Sequence, residues 1–291
     1  MSQPLQTLSL NGKLGPLELL ACLPGHMPAH PVARPPLLFV HGAFSGAWIW
    51  GDHFLPWLAR AGHPAYALSL SGHGNSAGRE QIEWLSIANY VDDLEVAVNW
   101  LQQQTGQMPV LIGHSMGGFV IQKLLEQGHQ VPGVALLCSV PPQGLLAAQF
   151  HMLMRKPGLF LEINRLMSGQ LNDLEIIREA LFAQPVDTAT LQRFFLNMQP
   201  ESQRAIWDMS SLFTLPRLNN ARLPPLLVLG AEEDALVPAF LVRSTARTYG
   251  VEARIFPGFG HGITHERDWP QIAATLLAWL EALPHPAAAT A

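Results

Sequence analysis

Residues 110–118 read Val110-Leu111-Ile112-Gly113-His114-Ser115-Met116-Gly117-Gly118, a short apolar run followed by a serine set among glycines. An apolar run of this length with no polar alternation predicts a strand buried on both faces. From Ser115 to about Gln127 the pattern becomes helical, and Gly128 stops it. The stretch therefore predicts strand, sharp turn and helix, with Ser115 at the turn. Gly113-His114-Ser115-Met116-Gly117 fits G-x-S-x-G. With glycine at roughly 7% of residues, a chain of this length meets that pattern by chance about one time in ten. Its position between a buried strand and a helix is what gives it weight as a nucleophile elbow.

The same alternation extends on both sides. Upstream, Leu5–Leu10 and Leu17–Leu23 are joined by a connection beginning Asn11-Gly12, which predicts a hairpin. Pro36–Val40 reads as a buried strand entering His41-Gly42, and Ala65–Leu70 as another ending at Ser71-Gly72-His73-Gly74. Ile87, Val91, Leu94, Val98 and Leu101 recur at helical spacing, with Ser86 as N-cap and Gly106 as stop. Downstream, Val134–Val140, Leu226–Leu229 and Val251–Phe256 read as strands. Pro238 opens one helix, and Trp269 to Leu283 forms the closing one. Strands alternating with helices predict a mostly parallel sheet of eight strands with helices on both faces. Between residues 141 and 220 strand signals vanish and Met- and Phe-rich helical stretches replace them. Residues 1–140 and 221–291 are thus expected to form an α/β core, with 141–220 inserted as a helical cap. The tail from Pro284 to Ala291 reads as frayed.

Composition narrows the function classes. Of 291 residues, 48% are hydrophobic and 13% charged, enough apolar content to bury a sizeable core. A net charge of −5 supplies no basic footprint for nucleic acid or an anionic membrane. No apolar run reaches the length of a membrane span. The opening MSQPLQTLSLNGKLG has no basic stretch followed by an apolar segment, so no signal peptide is expected and a cytoplasmic location is. Cys22 and Cys138 sit in apolar runs as buried free thiols, too few for a disulfide framework or a zinc cage. No His pair brackets a Glu in a zinc-protease pattern, so neither a metal nor another cofactor is expected.

A serine hydroxyl needs a base to take its proton, and the base needs an acid to orient it. Gly258-Phe259-Gly260-His261-Gly262 places one histidine in a glycine-rich loop after the last strand, which makes His261 the base; His265, four residues on, is the alternative. Glu232, Glu233 and Asp234 cluster after the Leu226–Leu229 strand. Asp234, just before Ala235-Leu236-Val237-Pro238, is the preferred acid. Two backbone donors must hold the oxyanion of an acyl transition state. Met116, following the nucleophile, supplies one. Ala43, in the loop His41-Gly42-Ala43-Phe44, supplies the other, with Phe44 as its near alternative. Phe44, His114, Met152 and Phe160 are the candidate substrate-contacting residues.

These residues resemble the α/β-hydrolase superfamily over nearly the whole chain. His41 to Trp48 is similar to the esterase and hydroxynitrile-lyase branch, Gly72-His73-Gly74-Asn75-Ser76 to a loop of bacterial members, and Gly113 to Gly118 to esterases and monoacylglycerol lipases. The Gly230–Asp234 stretch with Val237-Pro238 resembles the family's acid loop, and Gly260-His261 its histidine loop. The lyase branch carries a Thr in the first loop and a Lys after the histidine, whereas this chain has Ala43 and Gly262. Ser115 departs from the dehalogenases, whose nucleophile is Asp. What the resemblance implies is hydrolysis of a small to medium apolar carboxylic ester through an acyl-enzyme. A thioesterase, lactonase or carbon–carbon bond hydrolase with the same three residues, or a protein that binds a small ligand without turnover, stand as alternatives.

Overall fold

A computed structural model of the chain describes residues 4–25, 34–167, 174–211, 216 and 223–284. The non-alternating apolar runs form the middle of its sheet. Strands β3 (Leu37–Val40), β4 (Ala65–Leu68), β5 (Val110–His114) and β6 (Val134–Leu137) are buried at every position. With β1 (Gln6–Gly12), β2 (Gly15–Cys22), β7 (Leu226–Ala231) and β8 (Ala253–Phe256) they make one eight-stranded sheet among the described residues. Its order is β1-β2-β4-β3-β5-β6-β7-β8. From β4 across to β8 neighbours are parallel, while β2 runs antiparallel to both β1 and β4.

The hairpin forms as expected, with a tighter loop than the connection expected to begin at Asn11-Gly12. Gly12 pairs with Gly15, leaving Lys13 and Leu14 as the loop. Packing sets this register: Leu8 faces Leu19 and Leu10 faces Leu17, and Leu10 and Leu17 are both buried. A shift by one residue would turn that apolar face to solvent.

Helices cover both faces. On one side lie α3 (Ile87–Thr105), α4 (Met116–Glu126) and α10 (Ala239–Thr248). On the other lie α1 (Trp48–Gly51), α2 (Phe54–Arg60) and α11 (Pro270–Ala282). Local chemistry fixes several ends. The Ser86 side chain accepts from the Asn89 N–H in a capping box, and Gly106 closes α3 at φ 72°. Pro270 occupies the first turn of α11. The short helices α1 and α2 and the 3₁₀ turn Arg79–Trp84 went unread in the sequence.

Between β6 and β7 come α5 (Leu146–Arg155), α6 (Pro157–Met167), α7 (Leu174–Leu181), α8 (Thr188–Asn197) and α9 (Gln203–Ser210). No strand interrupts them among the described residues. The boundary expected at residue 220 and the tail beyond Pro284 lie outside the described residues. No helix of the described residues is long and apolar enough to cross a membrane.

Candidate active site

Strand β5 ends at His114, and Ser115 turns the chain at φ 52°, ψ −119° before α4 begins at Met116. A non-glycine residue at positive φ is strained, and such strain persists only where surrounding contacts enforce it. Here the Ser115 N–H donates to the Leu137 carbonyl (3.0 Å), and its carbonyl accepts from Val140 N–H (3.1 Å). The flanking glycines follow from close approach. A Cβ on Gly113 would lie 2.6 Å from Gly118 Cα, and one on Gly117 would collide with the Val40 and His41 carbonyl oxygens. The turn therefore wedges α4 against β3, and the N-terminus of α4 brings its partial positive charge beside Ser115.

The candidate acid and base meet at the carboxyl ends of β7 and β8. His261 Nδ1 lies 2.8 Å from Asp234 Oδ2, and both side chains are buried. The other carboxylate oxygen, Oδ1, accepts from the Leu236 and Val237 N–H groups at 2.8 and 2.7 Å. Asp234 is therefore held by its own loop. Glu232 and Glu233 are exposed. Cys138, at φ 44° after β6, brings its thiol to the same buried cluster. Burial and the adjacent Asp234 push that thiol well above its ordinary value, so it stays neutral.

The glycines around His261 serve packing as well as turning. Gly258 sits at φ 71°. A Cβ on Gly260 would lie 2.6 Å from the Leu181 carbonyl oxygen, and one on Gly262 3.0 Å from it. The Gly262 N–H donates to that carbonyl (2.6 Å). Glu266 ties the same loop down, accepting from Gly260, Ala183 and Gln184 N–H groups at 2.8, 2.7 and 3.1 Å. His265 packs against the Trp48, His53 and Phe194 rings, and its Nδ1 meets the Thr264 hydroxyl. His261 lines the cavity beside Ser115, and His265 does not.

The loop after β3 passes against the turn: a Cβ on Gly42 would stand 2.9 Å from Ser115 Cβ. His41 braces this loop. Its Nε2 accepts from Leu70 N–H (3.0 Å), so the proton sits on Nδ1, which donates to the Gly42 carbonyl (2.8 Å). Burial, with the neighbouring His73, lowers its pKa to about 3, which keeps the ring neutral. The Phe44 N–H is already taken by Glu201 Oε2 at 3.3 Å. Among the described residues the Ala43 N–H has no hydrogen-bond partner, and Ala43 lines the cavity with Ser115 and Met116. The Met116 N–H opens α4 and has no acceptor within the helix.

The cavity over Ser115 has a volume of about 190 Å³ and an almost wholly apolar lining. Phe44, His114 and Met152 line it. Phe160 does not: it packs on the small cluster of Met152, Leu159 and Ala180, and Ile163, nearly one turn further along α6, reaches the cavity instead. His114 also holds His261 in place, because its Nε2 donates to the His261 carbonyl (2.9 Å). Burial, with His261 nearby, lowers its pKa to about 3. In this structure Ser115 and His261 share the cavity without a direct hydrogen bond between their side chains. Sequence reading missed Glu201, Glu266 and His41. Isolated polar residues in loops carry no periodic signal that marks them as buried.

The alpha/beta hydrolase family model matches residues 37–287, and the chain belongs to that family. It is 24% identical over 247 residues to an uncharacterized carboxylesterase of Bacillus subtilis, spanning 81% of this chain and 76% of that protein. A methyl jasmonate esterase of Vitis vinifera is 33% identical over 102 residues, which is 35% of this chain and 38% of that one. Among solved structures, an esterase from Exiguobacterium antarcticum superposes with a TM-score of 0.67 at 16% identity, covering 95% of this chain and all of that one. A bromoperoxidase from Bacillus anthracis superposes with a TM-score of 0.69 at 19% identity, with the same coverage. Such neighbours speak for the fold alone, because one fold hosts many chemistries.

Proposed function

We propose that the chain is a serine esterase that cleaves a small to medium apolar carboxylic ester through an acyl-enzyme, with residues 141–220 as the cap over its site. The observation that carries this reading is the buried His261–Asp234 hydrogen bond beside a strained Ser115 in an apolar cavity. The esterase names of the relatives support it.

Ser115 Oγ attacks the ester carbonyl carbon as His261 Nε2 takes its proton. Asp234 keeps the His261 proton on Nδ1 and offsets the charge of the imidazolium. The carbonyl oxygen becomes an oxyanion between the N–H groups of Met116 and Ala43. Collapse of this intermediate breaks the bond to the alcohol, which leaves with the proton from His261. Water then gives a proton to His261 and attacks the acyl-enzyme, and the second intermediate releases the acid and restores Ser115. The apolar lining suits an uncharged acyl group, which needs no buried charge partner.

The test compares wild type with Ser115→Ala and His261→Ala on p-nitrophenyl esters of increasing acyl length, with thioesters and lactones in the same panel. Each variant is expected to lose on the order of 10⁴–10⁶ in kcat. Retention of the wild-type rate in Ser115→Ala would overturn the mechanism. Faster turnover of thioesters or lactones would move the substrate class.

A further inference from the structure

Glu201, in the link between α8 and α9, is a carboxylate only 4% exposed. It accepts hydrogen bonds from four places: Tyr90 Oη on α3 (2.8 Å), Ser202 N–H (2.7 Å), His73 Nε2 (3.1 Å) and Phe44 N–H (3.3 Å). Burying a lone carboxylate costs several kcal/mol, so a partner of opposite charge is required. His73, equally buried, supplies it. Burial opposes both charges, yet the pair outweighs it: the His73 pKa is raised, and Glu201 is held below the usual carboxylate range.

The target of this pair is a strained residue. Phe44 sits at φ 63°, a conformation that an aromatic residue avoids unless it is held. Glu201 takes its N–H, and Gln199 N–H donates to its carbonyl at 3.0 Å. Gln199 is itself fixed, since its Oε1 accepts from Gly74 N–H at 2.6 Å. Residues 199–201 thus grip both ends of Phe44. The residue gripped is the one after Ala43, whose N–H has no partner among the described residues and which lines the cavity with Ser115.

We infer that Glu201, backed by His73, is a positioning residue for the oxyanion hole: it locks Phe44 and thereby sets the Ala43 N–H. This rests on the esterase reading above. Glu201 touches no substrate, and its effect passes through the Phe44 backbone. A donor fixed in advance stabilises charge that appears only in the transition state, so loosening it lowers kcat more than it raises KM.

The test uses the full chain as wild type, Glu201→Gln and Ser115→Ala. Each is assayed on one p-nitrophenyl ester and titrated with a trifluoromethyl ketone of matching acyl chain, which forms a tetrahedral oxyanion on the serine. In Glu201→Gln, kcat is expected to fall about 10- to 100-fold, less than the ~10²–10³ for deleting an oxyanion donor outright. KM stays within about twofold, and ketone affinity falls in parallel with kcat. A residue that only stabilises the fold would lower the melting temperature without that parallel. Should Glu201→Gln not accumulate folded, Tyr90→Phe removes one of the four donors and leaves the carboxylate; kcat and ketone affinity should then fall together, by about threefold or more. Unchanged kcat and ketone affinity in the folded variant, with wild type active and Ser115→Ala inert, overturn the role of Glu201 and leave the esterase reading standing. A wild type that hydrolyses no ester overturns both.

Discussion

Ser115 and its glycine neighbours show how tightly single positions are specified. Gly117 has the carbonyl oxygens of Val40 and His41 where a Cβ would stand, so a methyl group there must push α4 away from β3. Backbone is the obstacle, and no side chain can swing aside. Gly117→Ala is expected to lower stability by about 1–3 kcal/mol, read as a lower urea midpoint at unchanged slope. An unchanged midpoint would mean that the helix shifts freely, contrary to the packing described. Much of this was legible in the sequence, because a serine between glycines after an apolar run has few other uses. The acid was less legible. Glu232, Glu233 and Asp234 are equivalent on paper, and only the Asp234 loop, with two N–H groups on Oδ1, picks one.

At the scale of elements, the segment between β6 and β7 decides what the site can hold. Helix α5 turns Ala148, Gln149 and Met152 to the cavity, and α7 contributes Ile176, Ile177 and Ala180. Ala180 sits against Met152 and Leu159. Ala180→Phe is therefore expected to fill part of the cavity and shift the p-nitrophenyl ester profile toward short acyl chains. Short-chain kcat/KM should hold within about threefold while long-chain values fall about tenfold or more, the scale of discrimination by a few methylenes. An unchanged profile would place the acyl chain elsewhere. The helical character of this segment was legible from its loss of strand signals, but its separate helices were not. Asp187 and Ser202, which cap α8 and α9, are ordinary polar residues until the turn around them is known. Phe160 went astray for the same reason: its place on α6 gives it to a neighbouring helix, and Ile163 takes the cavity.

Across the whole molecule, buried histidines tie stability to pH. His41 and His114 have pKa values lowered to about 3, first by burial and then by neighbouring imidazoles. Unfolded, each would titrate near 6.5. A depressed folded value means that the stabilisation is complete above the unfolded value and is lost as pH falls toward the folded one. His63, lowered to about 4 by burial and Arg34, acts in the same direction. Asp93, raised to about 6 by burial, acts oppositely: below about 6 the folded chain keeps a proton that the unfolded chain releases until near 3.8. His41, His114 and His63 together outnumber Asp93 and Glu266, whose pKa burial also raises, so stability should fall by about 1 kcal/mol per pH unit between about pH 6 and pH 4. Urea unfolding across that range checks it, and a flat or rising profile would contradict the neutral buried histidines. His73, raised by its pairing with Glu201 against the cost of burial, adds stability below its unfolded value that is lost as pH climbs through its folded one.

The sequence by itself determined the class of the fold, and it named the candidate serine and histidine and the short list of acids for the proposed site. These depend on local pattern: apolar runs without alternation, glycines where backbone must turn sharply, and the chain order of three side chains. Tertiary structure decided the rest, because contacts across long stretches of chain leave no local trace. It brought Asp234 to His261, narrowed the hairpin connection to Lys13-Leu14, seated Phe160 away from the cavity, and carried Glu201 to the backbone of Phe44, 157 residues earlier in the chain. A carboxylate so placed reads as an ordinary solvated charge in the sequence, and only the packing of α9, α3 and the loop after β4 around it excludes the water that would otherwise satisfy it.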